Sequence, residues 1–272
     1  CRYGRLTCKN DPDGLGTIRP VADHFAHFLI KNFPEAAMVS EWGEPDKSLQ
    51  QGFDYRLFAA SLDQSHYNDL FRCEEPYFPL EKGSAAAFVE NYKESRKKAG
   101  EKGLICIPSG NHDMDRLART LHGDELKVAF AFFDNAGAPF IYYGDEIGLR
   151  YVENLVSVEG GYNRTGSRSP MQWNHEVNFG FSNASPEKLY IPTDDKPNSP
   201  TVEDQMKDPN SLYYEVKKLI GFEESTVLCL SDGNIEFVSD GADGSPLAYI
   251  RSSADEKILV VVIQPIASSF DL

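Results

Sequence analysis

Basic residues are scarce in this sequence. Lys and Arg number 27 against 42 Asp and Glu, a formal net charge of −15. A phosphate backbone or an anionic membrane surface would repel such a chain, which argues against nucleic acid and membrane as partners. Apolar runs of about 18 residues are also missing, so no transmembrane helix is indicated. No signal-peptide pattern is visible. The chain opens on Cys1 rather than Met, and the expectation is that its true N-terminus lies upstream. Cysteine is sparse and odd in number: Cys1, Cys8, Cys73, Cys106 and Cys229 are widely spaced, with no CxxC pair. That excludes a disulfide framework or a zinc module as a leading reading. Reduced thiols in a cytoplasmic protein are the expectation. Asp11-Pro12-Asp13-Gly14 resembles the start of a calcium loop, but the position needing a bidentate Glu holds Ala22, so a turn is expected and no metal is assigned.

The sequence does hold enough apolar residues for a sizeable core, 41% of 272. Its pattern is that of short apolar runs alternating with helices. His24 to Phe33 reads as a helix and Ala36 to Trp42 as a buried strand. Phe53, Tyr55 and Leu57 alternate like a strand. Ser84 can cap a helix running to about Lys98, with Gly100 as its stop. Leu104–Ile107 is the next strand, Asp124–Asp134 the next helix, and Phe140–Tyr143 a further strand, its aromatics expected in the core. Strands recurring at roughly 35 residues, apolar on both faces, predict a parallel sheet of βαβ units. About four of them amount to half of an eight-stranded barrel.

Residues 150–210 are rich in Gly, Asn, Asp, Pro and Ser and read as a long excursion. A helix at Leu212–Phe222 follows. Then come runs at Thr226–Leu230, Ile235–Val238, Leu247–Arg251 and Ile258–Ile263 that look like turn-separated strands. The expected division is a barrel part at 1–222 and a small all-β domain at 223–272.

Two acids fall at equivalent places, Glu41 at the end of one strand and Asp113 just past another. The C-terminal ends of parallel strands share one face, so both carboxylates are expected at one mouth, where such barrels hold their active sites. Paired carboxylates are the working groups of glycoside hydrolysis, one as general acid and one as nucleophile or base.

These residues carry a resemblance. Ser40-Glu41-Trp42-Gly43, the run Ser109-Gly110-Asn111-His112-Asp113, residues 139–149 (PFIYYGDEIGL) and residues 163–174 (NRTGSRSPMQWN) are similar, in order and spacing, to glycoside hydrolase family 13. The last run resembles its α-glucosidase, oligo-1,6-glucosidase and trehalose-synthase branch. The resemblance implies a TIM barrel followed by a β-sandwich, and cleavage of α-glucosides with retention. It implies Glu41 as general acid/base and Asp113 as the acid that fixes the sugar and stabilises the transition state. His112 would bond sugar hydroxyls and Arg116 would help position the sugar; Trp42, beside Glu41, either lines the pocket and meets the sugar or packs in the core. An oligosaccharide is the implied partner, with no cofactor; oligomeric state is left open. The family's nucleophile, an Asp within Gly-Phe-Arg-x-Asp, has no match before Glu41. Lys9–Gly14 sets a register that puts it at Arg2, which stays protonated and cannot attack. This chain alone is therefore expected to be inactive. A trehalose-synthase-like transglycosylase and a non-catalytic, weakly sugar-binding fragment stand as alternatives.

Overall fold

Short apolar runs form the backbone of the molecule, seen here in a computed structural model. It describes residues 28–29, 31–33, 36, 39–40, 55–57, 66–79, 83–99, 104–136, 138–225, 234–242, 245–254 and 256–263. Strands β1 (Val39–Ser40), β2 (Tyr55–Leu57), β3 (Leu104–Pro108) and β4 (Ala138–Phe140) pair in sequence order, every pair parallel. Their C-terminal ends therefore lie at one edge. Ile105, Cys106 and Ile107 of β3 are buried, as a strand covered on both faces requires. Val39, expected to be buried, is 43% exposed: β1 stands at the end of the strand order, with a neighbour on one side only among the described residues.

Helices cover this sheet. Between β2 and β3 lie α1 (Asn68–Phe71) and α2 (Ala86–Ala99). The Ser84 hydroxyl caps α2 by accepting the Ala86 N–H at 3.2 Å, and Arg96, Lys97 and Lys98 sit in the last turn, where the helix dipole favours cations. Its face of Phe88, Val89 and Tyr92 is buried, as is Ala85 just before it. Helix α3 (Asp124–Ala136) follows β3. Asp124 is its first residue, and the Glu125 carboxylate accepts the His122 N–H at 2.8 Å. Leu126, Ala129, Phe130 and Phe133 form its buried stripe at helical spacing.

Strand β4 begins two residues earlier and ends three residues earlier than its apolar run suggests. The Ser109 N–H donates to the Phe140 carbonyl at 2.8 Å, and there the ladder stops. The Ser109 hydroxyl then accepts the Tyr142 N–H at 2.9 Å, and the chain turns into Gly144 at φ +86°. Tyr143, expected in the core, is 39% exposed as a result.

Residues 150–200 run as turns and single 3-10 turns. They end in α4 (Val202–Lys207), which the composition did not foretell, and α5 (Leu212–Ser225). Strands β5 (Asn234–Asp240), β6 (Leu247–Ser252) and β7 (Lys257–Val262) make an antiparallel sheet with a bulge between Phe237 and Ser239. The run expected at Thr226–Leu230 lies outside the described residues.

The antiparallel sheet joins the main core. Phe132 of α3 contacts the rings of Phe71, Phe78 and Phe88 and, at 6.3 Å, Tyr249 of β6. Tyr92 of α2 meets Phe237 of β5 edge-on at 5.6 Å. The buried Tyr77 hydroxyl accepts the Leu247 N–H at 2.8 Å and donates to the Val262 carbonyl at 3.3 Å. Ring contacts of this kind add about 0.5–1.5 kcal/mol each beyond their buried area.

Candidate active site

The loop leaving β3 carries the site. Ser109 and Gly110 are buried at its start, and Asn111, His112 and Asp113 turn outward. The Asn111 side-chain oxygen accepts the Asp113 N–H at 2.8 Å, an Asx turn that fixes where the carboxylate emerges. Asp113 is 44% exposed in its side chain. Two guanidinium groups from the long excursion converge on its Oδ1: Arg164 at 3.0 Å and Arg168 at 2.7 Å. Arg168 also donates through Nε to the His112 carbonyl at 2.7 Å, so one fork grips both residues. The His112 ring nitrogen lies 3.5 Å from the other Asp113 oxygen.

A buried acid lies behind this loop. Asp145 accepts the Ser109 hydroxyl at 2.8 Å and pairs with Arg116 at 3.1 Å, with both partners fully buried. Arg116 also donates to the Tyr143 carbonyl at 2.8 Å, and its guanidinium lies 4.9 Å from the centres of both the Tyr142 and Tyr143 rings. Burial pushes the Asp145 carboxyl up from its ordinary range; Arg116, Ser109 and Arg72 pull the other way. Burial likewise raises Glu146 and Tyr142. Arg72 completes the frame, donating to the Asp115 carbonyl at 2.6 Å and to the Ser109 carbonyl. Gly110 is needed here: a Cβ would come within 2.9 Å of the Asp145 carboxylate and 3.3 Å of Arg72.

Asp113 and His112 thus stand together at the C-terminal edge of the sheet. Arg116 stands beneath them: fully buried, it can act on a bound molecule only through Asp145 and the tyrosines, not by touching it. Glu41 and Trp42, which follow directly on β1, and Arg2 lie outside the described residues. Arg164, Arg168, Arg72 and Asp145 were not singled out from sequence. The first two sit in the 163–174 run already noted, where two arginines four residues apart were the available signal; Arg72 had none. Among the described residues no group of three or more His, Cys, Asp or Glu could hold a metal ion, and no helix is long and apolar enough to cross a membrane.

The acid on the loop after a parallel strand, gripped by arginines beside a histidine, forms the candidate site, and comparison with known proteins gives the family of the chain. Residues 34–232 match the family described as Alpha amylase, catalytic domain, and the chain belongs to that family. Among curated relatives, a probable alpha-glucosidase of Rhizobium meliloti is 26% identical over 267 residues, covering 92% of this chain and 45% of that protein. A trehalose synthase of Pimelobacter is 34% identical over 158 residues, covering 54% of this chain and 26% of that one. Among solved structures, the trehalose-6-phosphate hydrolase of Bacillus licheniformis superposes with a TM-score of 0.69 at 20% identity, covering 93% of this chain and 52% of that one. The fold is accordingly that of the α-amylase-family barrels. The chain spans about half the length of the relatives it matches over most of its own length.

Proposed function

We propose that this chain is the later part of a retaining glycoside hydrolase acting on α-glucosidic linkages of malto- or isomalto-type oligosaccharides. The observation that supports this most is the Asp113 carboxylate, held by Arg164 and Arg168 at the C-terminal edge of the parallel sheet. The edge is shared with the end of β1, which Glu41 directly follows. In this assignment residues 1–222 supply the last four or so βα units of a TIM barrel, and 223–272 a β-domain.

Glu41 protonates the leaving oxygen and then activates water. Asp113 binds hydroxyls of the sugar beside the broken bond and counters the positive charge of the oxocarbenium-like transition state. Arg164 and Arg168 hold Asp113 in place, so little reorganisation is left for the reaction itself. His112 hydrogen-bonds a neighbouring hydroxyl, Trp42 offers an apolar wall, and Arg116 positions the loop through Asp145. Neither a redox cofactor nor a nucleotide is required. The nucleophile is an Asp that residues 1–272 do not carry, since the family register falls on Arg2.

The 34% identity to a trehalose synthase favours a second reading, in which a sugar rather than water takes the glycosyl group. The other class of function is sugar binding without turnover. Calorimetry with maltose and isomaltose, alongside an assay on a chromogenic α-glucoside, tests these together. Sugar binding by the wild type, lost in Asp113→Asn and without turnover, is the expected result. Binding indifferent to both Asp113→Asn and His112→Ala would remove the site. Turnover that disappears in Glu41→Gln would put a nucleophile inside the chain and overturn the register at Arg2.

A further inference from the structure

A cavity of 600 Å³ lies where the end of the long excursion meets α4 and the start of α5. Its border includes His175, Phe179, Lys196, Pro200, Asp204 and Asp208, and it shares no lining residue with the cavity beside Asp113. The volume is in the range of small-molecule sites. Its walls are braced. Arg150 ties down the turn that carries Lys196, donating through Nε to the buried Asp194 carboxylate at 2.7 Å and to the Lys196 and Pro197 carbonyls at 3.3 Å. The Asp208 N–H donates to the Gln205 carbonyl at 3.3 Å, and the Asp208 carbonyl accepts the Ser211 N–H at 3.0 Å. Phe179 reaches the wall from a run of positive φ: Asn178 at 53°, Phe179 at 55° and Gly180 at 71°. That backbone is costly for a bulky side chain. Hydrogen bonds hold it there. The Phe179 carbonyl accepts the Trp173 N–H at 2.9 Å and the Asn174 N–H at 3.3 Å, and the Asn178 amide donates to the Ser182 and Ala184 carbonyls. Outliers of this kind concentrate at ligand clamps.

The titratable groups on this border are His175, Lys196, Asp204 and Asp208. The first and third answer each other, with His175 Nε2 2.6 Å from the Asp204 carboxylate. The other two do not. Lys196 is in no ion pair among the described residues, with Asp208 or with any other acid. The Asp208 carboxylate accepts the Asn210 N–H at 2.9 Å and is likewise in no ion pair. A ligand of one charge uses one of these groups and gains nothing from the other. A zwitterion meets both, and Phe179 and Pro200 offer an apolar wall beside them. Charge-assisted hydrogen bonds at both ends would fix its orientation.

We propose that this cavity binds a free α-amino acid with an apolar side chain, its carboxylate on Lys196, its ammonium on Asp208 and its side chain against Phe179. The site stands apart from Asp113 and does not depend on the role given to that residue. Calorimetry on the full chain with L-phenylalanine and its two singly charged analogues, phenethylamine and 3-phenylpropionate, tests it. L-phenylalanine is expected to bind at least about tenfold more tightly than either analogue. Lys196→Met is expected to weaken L-phenylalanine to the level of phenethylamine and to leave phenethylamine unmoved. Asp208→Asn keeps an oxygen for the Asn210 N–H and is expected to weaken L-phenylalanine to the level of 3-phenylpropionate, with that analogue unmoved. Loss of folding would not give this crossed pattern, and a thermal melt checks each variant. No measurable binding of L-phenylalanine, analogues bound as tightly as the amino acid, or affinity indifferent to both substitutions overturns the site. Maltose that competes with L-phenylalanine would make the cavity a sugar site and overturn the amino-acid assignment.

Discussion

Asp113 and Asp145 are both paired with arginine, and they differ chiefly in their access to water. Asp113 is 44% exposed and held by Arg164 and Arg168, themselves 52% and 37% exposed. Asp145 and Arg116 are fully buried. At the exposed pair water screens the charges and supplies alternative partners, so the contacts orient without contributing much stability. At the buried pair each charge depends on the other, because the unpaired state has no solvent to turn to. Working carboxylates belong in the first environment, where a ligand can compete for them; the second is a fixed frame.

The largest expected effect comes from breaking the buried pair. Arg116→Met leaves Asp145 buried with only the Ser109 hydroxyl in direct contact, and should cost about 3–5 kcal/mol in a urea titration. Asp113→Asn should do the reverse: sugar binding is lost, while stability changes by less than about 1 kcal/mol. Stability losses of equal size in these two variants would erase the distinction. Arg168→Lys sharpens it further. Lysine cannot reproduce the fork onto Asp113 and the His112 carbonyl, so sugar affinity should fall several-fold by calorimetry with the melting temperature nearly unchanged.

The smallest expected effect concerns Asp204 at the start of α4, half exposed like Asp113. The Thr201 hydroxyl and the His175 ring, 2.6 Å away, hold its carboxyl below the ordinary value of 3.8. A lowered folded pKa means stability that is present above the unfolded value and lost as pH falls through the folded one. Asp204→Asn should therefore lower the melting point slightly at neutral pH and have no effect in strong acid. A difference that persists in acid would assign the effect to packing.

Most of the frame was legible because strands and helices here obey local rules. The β3 run is apolar and bounded by Gly103 and Pro108, and the α3 stripe is strictly periodic, so both could be read. The end of β4 could not, since it depends on Ser109, thirty-odd residues away, taking the Tyr142 N–H on its hydroxyl. Asp113 was legible from its place after a strand. Its two arginines were not, because they arrive from an excursion without periodicity, at separations of 51 and 55 residues. Arg116 shows the opposite failure: the family resemblance suggested that it helps position the sugar, but a residue three places beyond Asp113 can point straight into the core.

The Tyr77 hydroxyl joins the region behind β2 to strands 170 and 185 residues further along the chain. A contact that distant gains nothing until the intervening loop has closed, and closure over such lengths is entropically costly. Assembly of the aromatic core is thereby tied to strands far along the chain from Tyr77. The parallel layer can gather its local βα units early, but the step that docks β5–β7 onto Phe132 and Tyr77 should be the slow, high-contact-order event in folding.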